Sequence, residues 1–356
     1  MLNNTIERLR SGNSLSFEEA YLVADYIFSH ENDDATVANL LVALADKGET
    51  GDEIAGFTSS LLDRAHAVET PLGTADLCGT GGSGLSRFNV STAAAFVAAA
   101  CGVPIAKHGN KGSRSANGSF DLLEALGLPI DLPPEVAVES LRATGLAFLY
   151  ARQYHPIMKK VAEARKQAAR RTIFNLAGPL ANPADVQFQL IGTADVSQFE
   201  ALADAVRILG RTKVLVVNGQ PGIDELSISG RTTVCEITHD ATRTFSLEPS
   251  DFGIIPVAYD MIPSGLAESN VKVFRDLING RADTSITDMV ALNAGAVLYA
   301  ADRTESIIKG YGLAKAAIAD GSTKRKYEEY ASFIKNTDRP NQSMQNIGSD
   351  TPNSDA

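Results

Sequence analysis

Asp76-Leu77-Cys78-Gly79-Thr80-Gly81-Gly82-Ser83-Gly84 runs from a short apolar segment into four glycines and then into Phe88-Asn89-Val90-Ser91-Thr92 and an alanine-rich stretch. Glycine lets backbone N–H groups converge because no Cβ blocks the approach. A helix starting just downstream adds free N–H donors and a partial positive charge. The pattern strand, glycine turn, helix therefore describes a cradle for a phosphate or diphosphate. A glycine cluster alone is also an ordinary strand-to-helix turn, so the flanks decide.

The flanks alternate. Strand-like runs are Ala75–Cys78, Val103–Ala106, Leu146–Tyr150, Phe188–Gly192 and Lys213–Val217, with helical patterns at Thr92–Cys101, Asp121–Leu126, Pro134–Ala143, His155–Ala168 and Ser197–Leu209. Such alternation predicts an α/β domain with a mostly parallel central sheet, and in such sheets ligands gather at the carboxyl ends of the strands. Short strands at Thr233–Ile237 and Arg243–Phe245 follow, then helix over 264–333. Residues 1–67 read as a small all-helical domain. Ser16-Phe17-Glu18-Glu19 and Thr50-Gly51-Asp52-Glu53 each place a hydroxyl three residues before a carboxylate, the capping-box spacing. The expected division is 1–67 helical, 68–335 α/β, with the later helices packing on the helical domain, and a disordered tail at 336–356 rich in Asn, Ser, Asp and Pro.

Composition narrows the function. The 356 residues are 44% hydrophobic and 21% charged, ordinary for a globular protein. A net charge of −11 argues against a nucleic-acid binder or a binder of acidic membranes. No uncharged apolar run reaches the roughly 18 residues that span a bilayer. The first residues lack the basic and apolar regions of a secretory signal. Three scattered cysteines, Cys78, Cys101 and Cys235, form no metal spacing or disulfide framework, which predicts a reducing cytoplasm.

Three further clusters carry chemistry. Lys107-His108-Gly109-Asn110-Lys111-Gly112-Ser113-Arg114 holds three cations in eight positions and continues as Ser115-Ala116-Asn117-Gly118-Ser119, a cationic, hydroxyl-rich loop suited to wrapping an anion. His108 reads as wall and orientation, since no carboxylate lies near it in sequence. Asp224-Glu225 follows a strand and a glycine turn. Alone it reads as a solvated acidic pair, but Mg²⁺ is usually held by one or two carboxylates together with substrate phosphate. Arg165, in the basic stretch His155–Lys166, presents a planar donor fork suited to a carboxylate. Arg171-Thr172-Ile173-Phe174-Asn175 leads into Gly178-Pro179-Leu180-Ala181-Asn182-Pro183, read as a rigid turn that shapes a wall.

Taken in order, these motifs resemble the anthranilate phosphoribosyltransferase family over roughly residues 5–335: Gly79-Thr80-Gly81-Gly82, Phe88–Thr92, Lys107–Asn110, Gly118-Ser119, Leu123–Gly127, Arg171–Asn175, Gly178–Leu180 and Asp224-Glu225. The resemblance implies the nucleoside phosphorylase/phosphoribosyltransferase type of fold and a homodimer through the helical domain. It implies transfer of phosphoribosyl from phosphoribosyl pyrophosphate to the amine of anthranilate, a step of tryptophan biosynthesis, with Mg²⁺, two ions per site. By that resemblance Gly79, Gly82, Ser83, Arg87, Asn89, Val90, Ser91, Thr92, Lys107, Ser115 and Ser119 would bind the donor. Gly79, His108, Asn110 and Arg165 would bind the acceptor, and Ser91, Asp224 and Glu225 the metal, with no protein nucleophile or base.

The chain departs from that family's usual pattern at Ser83, Arg87, Lys111, Arg114 and Phe120, where Asp, Thr, Arg, Ser and Ala are usual. The exchanges leave the two loops three charges more positive. Three alternatives stay open. One is a paralogous transferase with another aromatic acceptor. Another is a phosphorylase of the same structural class, against which Asp224-Glu225 speaks. The third is a non-catalytic protein that binds a phosphoribosyl ligand.

Overall fold

Both predicted capping boxes are formed, and they set the entry of two helices. The Ser16 hydroxyl accepts from the Glu19 N–H while Glu19 accepts from the Ser16 N–H; Thr50 and Glu53 repeat the exchange. In this computed structural model, which describes residues 1–81, 88–112, 118–263, 265 and 267–337, the chain opens with α1 (Leu2–Arg10), α2 (Phe17–Ser29), α3 (Asp34–Lys47) and α4 (Gly51–Leu62). Glu53, fully buried, also takes the Leu15 N–H and the Lys47 ammonium (3.0 and 2.9 Å), so one carboxylate ties three of these segments together.

The α/β part follows as β1 (Ala75–Gly79), α5 (Val90–Ala100), β2 (Ile105–Gly109), α6 (Ser119–Ala125), α7 (Pro134–Thr144), β3 (Leu146–Tyr150), α8 (Ala151–Tyr154), α9 (Ala162–Ala168), α10 (Ile173–Leu180), β4 (Phe188–Gly192), α11 (Phe199–Ile208) and β5 (Lys213–Gly219). Then come β6 (Thr232–Thr238), β7 (Thr242–Leu247), α12 (Ala267–Ile278), α13 (Thr284–Ala300), α14 (Ile307–Ala319) and α15 (Ser322–Thr337). Among the described residues one sheet has the order β3-β2-β1-β4-β5-β6-β7; β3 through β5 run parallel, and β6 and β7 are antiparallel. Successive strands go outward on one side of β1 and return on the other, so the crevice beyond the ends of β1 and β4 is the topological switch point where such sheets bind ligands.

Two large cores lie against the two faces of the sheet, and a smaller one packs α7 on Ala106, Ala147 and Leu149. One large core packs α5, α12, α13, α14 and α15 on Leu77, Phe148, Leu215 and Val217; the other packs α1–α4 and α9–α11 on Ile191, Val214, Val216 and Ile237. Among the described residues the later helices thus cover the sheet face opposite to that of the helical domain on which they were expected to pack. Their main contacts are with α5, α6, α7 and one another, because alanines at nearly every turn of α5 let α13 and α15 close over that face.

Three local expectations are also corrected. The helix expected over 155–168 is a 3-10 turn (Pro156–Val161) followed by the short α9, a break that matches proline at its first position. The stretch expected to be a rigid turn through Gly178 and Pro179 is helix to Leu180, with Thr172 as its N-cap residue. Helix α15 runs to Thr337, past the expected start of the tail at 336, and 338–356 lie outside the described residues.

Candidate active site

The end of β1 is built around an acidic loop that lies across it. Gly79 ends β1, Gly192 ends β4 and Gly219 ends β5. A Cβ on Gly79 would lie 2.1 Å from the Asp224 carboxylate; one on Gly192 would lie 1.7 Å from the Asp224 carbonyl oxygen; one on Gly219 would lie 2.4 Å from the Glu225 carbonyl oxygen. Three strand ends thus carry glycine because the segment with Asp224 and Glu225 folds back over them. Gly81, in the left-handed region at φ 69°, donates its N–H to Asp224 Oδ2 at 3.0 Å. Beneath, Asn293 of α13 fixes the loop by accepting the Leu226 N–H (2.9 Å) and donating to the Leu226 carbonyl (3.0 Å). Asp224 and Glu225 are both buried. They are not a solvated acidic pair.

Under the glycine loop lies a polar floor. Asp76, fully buried in β1, accepts from the N–H groups of Leu77 and His108 and from Asn182 Nδ2 (2.7, 3.2 and 2.9 Å). Lys107, expected in a flexible loop, is instead a strand residue with no exposed surface, and its ammonium donates to the Leu77 carbonyl at 2.7 Å. Burial is the largest influence on both, raising the Asp76 carboxyl and lowering the Lys107 ammonium from their ordinary values; each opposes the shift in the other, and Glu225 also raises Lys107. Lys107 thus lies in the electrostatic reach of the acidic loop, at the bottom of the cleft.

The two loops expected to bind anions are tied at their described ends. Asn89, just before α5, donates to the Gly118 carbonyl (2.9 Å) and accepts from Asn270 of α12 (2.9 Å), and Thr92 donates to the Ser119 carbonyl (3.0 Å). Val90 is buried and Ser91 half-buried in the first turn of α5. Asp121 Oδ2 accepts from both Gly112 N–H and Gly118 N–H (2.9 and 2.6 Å), closing the base of the second loop. Lys111 pairs with Glu124 at 2.7 Å. Phe120 is a core residue under the loop, 5.1 Å from Tyr150 and 6.4 Å from Phe148 between ring centroids. Gly82, Ser83, Arg87, Arg114 and Ser115 lie outside the described residues.

Of the residues expected to meet the acceptor, His108 is buried with its ring edge-on to His155 at 5.1 Å, and burial holds it well below the ordinary imidazole range. A neutral ring without a carboxylate partner fits orientation rather than proton transfer. Arg165, half-buried on α9, stacks over Phe174 of α10 at 5.6 Å, and among the described residues no carboxylate pairs with it. Burial lowers its pKa, as expected of a cation without a local counter-ion. Asn110 is exposed, its carboxamide oxygen accepting from the Lys111 N–H. No hydrogen bond joins Arg165 to His108 or Asn110 among the described residues.

Several contributors were missed from sequence: Asp76, Asn182, Asn270, Asn293, Asp121, His155, and Arg171, whose guanidinium donates to Thr80 of the glycine loop at 2.8 Å. Asp76, Asp121, His155, Arg171 and Asn182 stood inside quoted stretches. Asn270 and Asn293 carried no local signal, since each acts across a sequence separation of 181 or 67 residues.

The family described as "Glycosyl transferase family, a/b domain" matches residues 72–324, and "Glycosyl transferase family, helical bundle domain" matches 3–65. An anthranilate phosphoribosyltransferase of Geobacillus kaustophilus is 42% identical over 329 residues, 92% of this chain and 96% of that one. The crystal structure of the Thermus thermophilus anthranilate phosphoribosyltransferase superposes with a TM-score of 0.88 at 37% identity, covering 93% of this chain and 99% of that one. The Saccharomyces cerevisiae enzyme in complex with PRPP and Mg superposes with a TM-score of 0.85 at 26% identity, covering 94% and 98%. With both of its parts matched by family models and its relatives covered along nearly their full length, this chain belongs to the anthranilate phosphoribosyltransferase family.

Proposed function

We propose that the protein transfers the phosphoribosyl group of phosphoribosyl pyrophosphate to the amine of anthranilate, releasing diphosphate, as a step of tryptophan biosynthesis. The observation that carries this reading is the Asp224 carboxylate lying over Gly79 and accepting from the Gly81 N–H. It brings the Asp224 carboxylate, with Glu225 next to it in the chain, against a loop suited to a diphosphate. Donors for the leaving group and ligands for its counter-ion then occupy one crevice.

The residues fit magnesium. No group of three or more His, Cys, Asp or Glu side chains is poised for a metal among the described residues, whereas Mg²⁺ asks for only one or two carboxylates, completed by water and substrate phosphate. Asp224 and Glu225 would hold it, with Ser91 in the first turn of α5, and we propose two ions per site. When bound, magnesium neutralises charge on the departing diphosphate.

The chain's own part is binding and alignment. Gly79 and Gly82 with the α5 N-terminus supply backbone donors for the diphosphate. Ser83, Arg87, Asn89, Val90, Thr92, Lys107, Ser115 and Ser119 complete the donor site. Arg165 reads the acceptor's carboxylate, with Asn110, His108 and Gly79 orienting its ring and amine. The amine nitrogen forms a bond to C1′ as the C1′–oxygen bond to diphosphate breaks, and the amine then gives up a proton. No protein nucleophile takes part, so holding the two reactants in line is the main contribution.

A homodimer through residues 1–67 and a cytoplasmic setting belong to the same proposal. The exposed Leu22 on α2 supports the first, and three free cysteines support the second. The test follows anthranilate consumption with phosphoribosyl pyrophosphate and Mg²⁺. Turnover is expected, with Arg165→Gln raising the anthranilate KM and Asp224→Asn raising the requirement for Mg²⁺. Donor binding without turnover on anthranilate would overturn the assignment.

A further inference from the structure

Between the end of α3 and the starts of α10 and α11 lies a cleft of about 410 Å³, within the range of small-molecule sites. It belongs to none of the donor, acceptor or metal groups described above. Its walls include Glu49, Arg171 and Thr172, with Ala45, Leu176 and Ala201 as the apolar side; Asp195 and Arg170 line it too, but Asp195 is taken up by Ser197 and Arg170 by Asp46. Glu49 is half-buried; among the described residues its carboxylate has no ion pair and no hydrogen bond from another residue, only one from its own N–H, and burial raises its pKa. Arg171 has no carboxylate ion pair there either, and its Nε is buried without a partner. Thr172, the N-cap residue of α10, is 2% exposed, and its hydroxyl oxygen lacks a partner among the described residues. The α10 N-terminus adds the partial positive charge of a helix start.

A cleft that presents, among the described residues, a carboxylate without a cation, a guanidinium without a carboxylate and one buried hydroxyl without a partner, beside apolar side chains, is suited to a ligand carrying both signs of charge and an apolar body. Buried polar groups are ordinarily partnered, and the exceptions call for an occupant. A plain anion would satisfy Arg171 and Thr172 but face Glu49; a plain cation would do the reverse. We infer that this cleft binds a zwitterionic α-amino acid with an apolar side chain. Its carboxylate would meet Thr172, Arg171 and the α10 N-terminus, and its ammonium group would meet Glu49. Arg171 also holds Thr80 of the glycine loop, so the occupant would sit one side chain away from the donor cradle.

The test is calorimetric titration of the full chain at pH 7 with L-leucine and L-phenylalanine, alongside N-acetyl-L-leucine and L-leucinamide, each lacking one of the two charges, and inorganic diphosphate. Binding of the free amino acids is expected, at least ten-fold tighter than either blocked analogue, and weakened at least ten-fold by Glu49→Gln and by Thr172→Val. Both variants are expected to keep the wild-type melting profile and transfer activity, which separates loss of the site from loss of the fold. Arg165→Gln is expected to leave the binding intact. No amino-acid binding, equal binding of a blocked analogue, binding of diphosphate alone, or loss of binding in Arg165→Gln instead of Glu49→Gln would each overturn the proposal.

Discussion

Gly192 has its α-carbon directly against the main chain of Asp224, where a Cβ would stand 1.7 Å from the carbonyl oxygen. Main chain cannot step aside as a flexible side-chain tip can, so Gly192→Ala must shift the acidic loop or the end of β4. Overpacking of this kind costs about 1–3 kcal/mol. Thermal melting should fall accordingly, and the Mg²⁺ concentration for half-maximal activity should rise because Asp224 moves with the loop. A variant with unchanged melting and unchanged Mg²⁺ response would contradict this account of the strand-end glycines. His155 makes a second residue-scale prediction. It is buried, its Nε2 donates to the Ala181 carbonyl at 2.8 Å, and burial pulls its pKa from 6.5 to about 4. Between those values the unfolded chain takes up a proton that the folded chain refuses. Stability is therefore full above pH 6.5 and declines as pH falls toward 4, by about 3 kcal/mol over the window. Urea unfolding at a series of pH values should show that slope in the wild type and a flatter one in His155→Gln. His108, depressed in the same direction, adds to the same trend.

At the scale of elements, α6 begins with a carboxylate that does two jobs. Asp121 accepts from the Gly118 N–H at the helix entry and from the Gly112 N–H across the loop. Asp121→Ala removes a helix-entry partner, at a cost of about 1 kcal/mol, and frees the two ends of the second anion loop from each other. The donor KM should rise while the anthranilate KM stays near the wild-type value; a rise in both, or in neither, would place Asp121 outside the donor site's support. The sequence did not reveal this clamp, though Asp121 was visible as the start of a helix, because what makes it a clamp is the return of Gly112 to its side. The same limit separates what was legible from what was not. Periodicity marked the strands and most of the helices, and the capping boxes marked two helix starts, because those signals are local. Pro156 broke the pattern expected over 155–168, and Pro179 failed to break α10, since neighbours within the fold, not proline alone, settle whether a helix continues. Glycine and carboxylate motifs were legible as neighbours in one crevice, since Gly79 and Gly81 do meet Asp224. That Lys107 lies buried in a strand, and that Gly192 and Gly219 are glycine on account of Asp224, depends on which strand ends meet, and spacing along the chain does not state that.

For the whole molecule, the division at residue 67 is a division of sequence more than of core. One hydrophobic cluster runs from Leu9, Phe28, Leu41 and Phe57 of the helical part through Phe174 and Leu202 to Ile191, Val214 and Val216 of the sheet. Phe174 of α10 meets Phe57 at 5.8 Å and Phe28 at 6.1 Å between ring centroids. Elements of both parts thus form the covering of one sheet face. Two domains with separate cores would unfold in separate steps, whereas a shared core couples them. A single cooperative transition is therefore expected in urea, with fluorescence and far-ultraviolet dichroism coincident. A fragment beginning at residue 68 would expose what Leu41, Phe57 and their neighbours cover, a contiguous apolar face of the sort that drives aggregation. It should be recovered as an aggregate or a loosely packed state, with no donor binding, and supplying residues 1–67 in trans should restore solubility before activity. Two resolved transitions, or a soluble and well-melting fragment, would show the sheet face to be stable without the helices and the two parts to be independent folding units.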